Sequence, residues 1–247
     1  MDPTGHLLCV TNYGSNSVSA WAITPGTGAV TALSGSPFPA GSHPAGVAVD
    51  PAGKFLYVAN NGSNDISTYT IISRGGGRTA ARGAAVDAGV YPSGVAVDLT
   101  GRFVYVANNG SGTVSAYTIN PGSGALAAAS GSPFSSGSSP WGVAIDPTGK
   151  FLYVSNASSA TVSAYAINAR SGALKPIGGS PFPAGSSPRG IAVDPMGKFV
   201  YVANYAGNSV SAYAIDASSG ALTAVSGSPF KAGGRPGALA IAAVSGP

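Results

Sequence analysis

The chain has 247 residues, of which 8% are charged and 44% hydrophobic, with 37 Gly and 19 Pro. Disorder needs low hydrophobicity and high charge, so this composition excludes a disordered chain and indicates short apolar strands cut by many turns. The net charge of +4 is spread, without a dense basic stripe interleaved with aromatics, which argues against nucleic-acid binding.

In chain order, the opening "MDPTGHLLCV" lacks the basic and apolar regions of a leader, and no apolar run reaches the length of a membrane span. Cys9 stands in "LLCVTN", where other copies carry Tyr, and reads as a buried strand residue. Next comes "SHPAGVAVDPAGKFLYVAN" (residues 42–60), written again as "SSPRGIAVDPMGKFVYVAN" (residues 186–204). All eight acidic residues are Asp, and Asp2, Asp50, Asp98, Asp146 and Asp194 recur every 48 residues. Repeats of about 40–50 residues with several short strands mark propeller blades.

Each unit predicts four strands, here taken from the second. "GVAVD" leads through the turn "PAGK" into "FLYVAN", and the loop "NGSND" leads into "ISTYTI". A fourth, outer strand is clearest as "GALTAVS" before "GSPF". Stacking such antiparallel units around a channel covers both faces of each. The stretch "SRGGGRTAARGAAVDAGVYP" departs from the pattern without changing its length, and predicts a degraded outer strand. The expected fold is one all-β domain over residues 1–247, a five-bladed β-propeller of five 48-residue repeats. Ring closure is expected by pairing of residues 239–241 with residues 6–12, which removes the free edges and leaves a monomer.

The runs "LLCVTN", "FLYVAN", "FVYVAN" and "FLYVSN", each behind a "VAVDPxGK"-like run, resemble the YVTN motif of the YVTN-repeat and lactonase-type β-propellers. The resemblance spans all five units and implies the propeller fold. Members of that group often have seven blades and include lactone-opening enzymes as well as binding and surface modules, so it names no activity on its own.

The repeated Asp residues fall in hairpin turns and the repeated Asn12, Asn60, Asn108, Asn156 and Asn204 end the second strands, both structural places. The copies differ at x-Pro-x-Gly, just before each inner strand. There the pairs are His43/Ala45, Tyr91/Ser93, Ser139/Trp141, Ser187/Arg189 and Arg235/Gly237. One mouth of the channel therefore gathers a cationic arc, Arg189, Arg235 and His43, opposite the aromatic Tyr91 and Trp141. That predicts a site for a small anionic or carbohydrate-like ligand. Asp65, where other copies have Ser or Thr, lies on the same face. A His43–Asp65 pair as general base with Arg235 stabilising an oxyanion gives the competing reading, a lactonase-like hydrolase. A structural or surface-display module is the third. Two His and no Glu supply no metal cluster, and no cofactor motif is present. The Ser/Thr/Asn/Gly-rich composition is that of an exported protein, and a start inside a repeat is that of an excised piece. An extracytoplasmic place, with the leader missing from this chain, is thus the expectation.

Overall fold

The computed structural model describes residues 5–74 and 77–241, so Asp2 and Ala242 lie outside the described residues. Apart from the one-turn 3-10 helix Tyr13–Ser15, every element is a strand, and the strands form five antiparallel sheets. The third sheet shows the pattern. Its inner strand Pro92–Val97 pairs with Phe103–Asn108, which pairs in turn with Thr113–Ile119. The outer position is split, because Leu126–Ala128 and Phe134–Ser135 pair with the two ends of Thr113–Ile119. In four of the five sheets the motif "GSPF" stands at the split, and there Ser132 Oγ accepts the N–H of Ala116 at 2.9 Å, holding the break against the sheet. Ser36, Ser180 and Ser228 repeat this bond.

The second sheet corrects one expectation. Its outer strand is lengthened, not degraded: Gly77–Arg82 pairs with Asp65–Arg74 over six positions, against three in the third sheet. The register runs on to Arg74 opposite Gly77, so the third strand of this sheet is longer than its equivalents.

Asp98 explains the repeated turn. Its Oδ1 accepts the N–H groups of Arg102 and Phe103, both at 2.7 Å, and its Oδ2 that of Thr100 at 3.1 Å. Asp50, Asp146 and Asp194 hold their turns in the same way. The structural place expected for these residues is therefore the one they occupy.

Neighbouring sheets are joined by apolar clusters. One cluster unites Leu7, Val18 and Phe38 of the first sheet with Leu56 and Tyr69 of the second. Equivalent clusters join second to third, third to fourth, and fourth to fifth. Buried tyrosines stitch the same joints: Tyr57, Tyr105 and Tyr153 donate to the carbonyls of Gly124, Gly172 and Gly220 at 3.0–3.1 Å. At these three glycines an added Cβ would lie 2.3–2.5 Å from a ring carbon of Phe55, Phe103 and Phe151, so no side chain fits there.

The expected ring closure is not among these joints. Residues 239–241 carry no strand pairing and lie with Asp194, Phe199 and Tyr201 around a cavity of about 450 Å³. Among the described residues no inner strand stands beside Leu7–Asn12, and no hydrogen bond ties the first sheet to the fifth. The difference shows at Gly28, the repeat equivalent of Gly124. Nothing lies within 4 Å of its Cβ position, whereas Phe199 and Tyr201, which would meet it in a closed ring, are only partly buried. No helix of the described residues is long and apolar enough to cross a membrane.

Candidate functional site

The four inner strands converge on an axial cavity of about 310 Å³, lined by glycines and small residues such as Gly46, Gly94, Gly142 and Gly190. An added Cβ at Gly94 would come 2.4 Å from the Trp141 carbonyl, and at Gly142 2.5 Å from that of Arg189. Small residues are required for the strands to meet, so functional side chains must stand at the rim.

The rim is built by a backbone device. His43, Tyr91, Ser139, Ser187 and Arg235 all take left-handed φ values of 50–56°. An L-residue pays roughly 1–2 kcal/mol for that conformation. Three of the five receive compensation from the preceding sheet. Asn16, Asn64 and Asn208 accept the N–H groups of His43, Tyr91 and Arg235 through Oδ1, each at 2.8 Å. Gly112 and Ala160 occupy the asparagine position ahead of Ser139 and Ser187. The asparagine is thus present where the left-handed residue carries a large side chain. The carbonyl of His43 is held as well, by the N–H of Asn61 at 3.0 Å, and that of Tyr91 by Asn109.

At one side of the mouth the Arg189 guanidinium carbon sits 3.6 Å from the ring centre of Tyr205 and 4.7 Å from that of Trp141. Arg235 approaches the same Tyr205 ring at 5.9 Å. Cations over aromatic faces are held by the ring quadrupole, and a guanidinium between two rings keeps its fork oriented. The Arg189 Nε is buried and has no hydrogen-bond partner among the described residues. At the other side the His43 imidazole stacks on Tyr13, with centroids 4.6 Å apart and planes 27° apart. Its Nδ1 lies 3.3 Å from Ser42 Oγ.

The residues singled out in the sequence are therefore brought together in part. Arg189, Trp141 and Arg235 share a cluster, whereas no contact joins Arg235 to His43. Asp65 is not brought to His43 either. Its Oδ1 accepts from Asn60 Nδ2 at 2.5 Å, in the place where Ser17, Thr113, Thr161 and Ser209 accept from their own asparagines. Tyr13 and Tyr205 were not singled out. The signal for them was the residue after each repeated Asn, which reads Tyr13, Asn61, Asn109, Ala157 and Tyr205 around the chain. Among the described residues no group of His, Cys, Asp or Glu is placed to hold a metal ion.

A family model described as "Lactonase, 7-bladed beta-propeller" matches residues 29–139 and again residues 130–236. No curated protein matches the sequence. Among solved structures, a candidate 6-phosphogluconolactonase of Bacteroides uniformis ATCC 8492 superposes with a TM-score of 0.79 at 20% identity, over 92% of this chain and 69% of its own. The periplasmic gluconolactonase of Pseudomonas aeruginosa gives 0.78 at 22% identity, over 95% and 70%. A protein of Lactobacillus plantarum gives 0.80 at 21%, over 96% and 72%. At such identities the likeness is one of fold. The five sheets described here correspond to about 70% of those chains.

Proposed function

The chain belongs to the lactonase, seven-bladed β-propeller family, and from that premise we propose that it opens a sugar-acid lactone held at the channel mouth. The observation that carries this reading is Arg189, whose guanidinium is held against the rings of both Tyr205 and Trp141 at the mouth. A guanidinium oriented by two rings can meet a ligand oxygen through its terminal N–H groups with little further ordering. A lactone offers such an oxygen throughout its reaction: a carbonyl, then a tetrahedral oxyanion, then a carboxylate, each suited to a guanidinium.

In this reading water attacks the carbonyl held at Arg189 and gives its proton to the surrounding solvent, since His43 stands across the mouth on Tyr13. The tetrahedral intermediate collapses with cleavage of the ring C–O bond, and the leaving alkoxide takes a proton from water. Lactone and water give the open hydroxy acid, without any further reactant. Arg189 takes the oxyanion role that the sequence alone gave to Arg235, because two rings orient its guanidinium while Arg235 is exposed.

A second reading, binding without turnover, is favoured by Asp65. Bonded to Asn60, it leaves the His43 ring with only Ser42 and the stack on Tyr13 to orient it. Proton release on δ-gluconolactone, followed by pH-stat above the spontaneous rate, separates the two. Turnover that falls in Arg189→Ala supports the enzyme. Gluconate binding with no enzymatic rate supports the binder, and neither binding nor rate removes both.

A further inference from the structure

The mouth is larger than a clamp for one sugar acid. Tyr13, Tyr91 and Trp141 are 55%, 52% and 38% exposed, and Phe230 is the other large aromatic side chain exposed among the described residues. These three line a single cavity of about 450 Å³ together with Asn61 and Asn109. It runs from the first sheet, through Tyr13, to the fourth, through Trp141. Arg189, from the fifth sheet, stands on the Trp141 ring. The groove and the arginine clamp therefore meet at one residue.

The lining states the chemistry of an occupant. Aromatic faces left in water are apolar area that a matching ring can cover, at roughly 25 cal/mol per Å². Asn61 and Asn109 each use one N–H of the side-chain amide on the carbonyls of Pro92 and Pro140, both at 3.3 Å. That leaves a second N–H and the amide oxygen of each to meet hydroxyl groups. No charged side chain lines this groove, and the cations Arg189 and Arg235 gather beyond its Trp141 end. A polyanion would need charge along the whole path. A neutral, hydroxyl-bearing chain with one acidic end fits.

We infer that the mouth takes a saccharide of at least two sugar units ending in an aldonic acid or its lactone, the end unit at Arg189 and the neutral units stacked along Trp141, Tyr91 and Tyr13. This rests on the proposed function and extends it from a single ring to a chain.

Titration calorimetry on the whole chain, with gluconate, maltobionate and cellobionate as probes, tests it. At least one disaccharide acid should bind about tenfold tighter than gluconate. Tyr91→Asn, which keeps a residue that tolerates left-handed backbone, should erase that gain and leave gluconate unchanged. Arg189→Ala should weaken all three. Equal affinity of gluconate and both disaccharide acids overturns the inference and leaves the lactone reading in place. So does a Tyr91→Asn variant that keeps the gain. If none of the acids binds, the lactone reading falls and takes the inference with it.

Discussion

The side-chain oxygen of Asn208 accepts the backbone N–H of Arg235 at 2.8 Å, across the step from the fifth sheet's second-to-third loop to the segment leaving that sheet. Asn16 and Asn64 do the same for His43 and Tyr91. Each bond supports a residue whose left-handed backbone is unfavourable. Arg235→Gly should therefore stabilise the fold by about 0.5–1 kcal/mol while weakening anion binding. Urea midpoints and calorimetry on one preparation would show opposite signs. Loss of stability in this variant would mean that the left-handed turn carries no strain.

Asp98 predicts the reverse, a large loss of stability with no effect at the site. It is buried and accepts from three backbone N–H groups as well as from Thr100 Oγ1. Asp98→Ala leaves those donors unpaired and should cost about 2–4 kcal/mol. Ligand affinity of the folded fraction should match the parent chain.

Tyr105 and Tyr201 occupy the same place in their sheets but differ in surroundings. Tyr105 donates to Gly172, while Tyr201 has no hydroxyl partner among the described residues. Tyr105→Phe should cost about 1 kcal/mol and Tyr201→Phe close to nothing. Equal losses would mean that Tyr201 reaches Gly28 in solution and the ring closes after all.

Burial pushes the hydroxyls of Tyr57, Tyr105 and Tyr153 well above their ordinary value of 10.0, with Asp50, Asp98 and Asp146 adding to the rise. Desolvation also raises Tyr69, Tyr117, Tyr165 and Tyr213. The unfolded chain thus loses these protons first. The stabilisation is whole below pH 10 and declines as pH climbs toward the folded values, by up to about 1.4 kcal/mol per pH unit for each tyrosine. Tyrosinate absorbance at 295 nm (roughly the phenolate band) should therefore rise together with loss of structure, not ahead of it. Asp216 moves the other way: bonds from Ser218 and Ser219 lower it from 3.8 to about 2, so its small contribution is whole above the upper value and is lost as pH falls to the lower.

Much of this was legible in the residues. The 48-residue return of Asp98 and its equivalents gave the sheets, because an Asp that must satisfy a hairpin turn cannot drift. The rim residues Arg189 and Trp141 were legible for the opposite reason, as large side chains in a register of small ones. Curvature was not legible. A repeat count states how many sheets there are, while the angle between sheets depends on packing at joints such as Phe103 against Gly172. The expected neighbours Arg235 and His43 followed from a closed ring, and among the described residues no such joint brings them into contact. Tyr205 was missed because it belongs to the next loop, and only the fold brings it under Arg189.

Trp141 emission reports whether the mouth around Arg189 takes a ligand. The chain has two Trp, so a Trp21→Phe variant leaves Trp141 as the sole reporter. Titration with gluconate should give a saturable change in its emission, and adding Arg189→Ala should abolish that change. An emission that stays flat at every concentration, or an identical response without Arg189, would contradict the account.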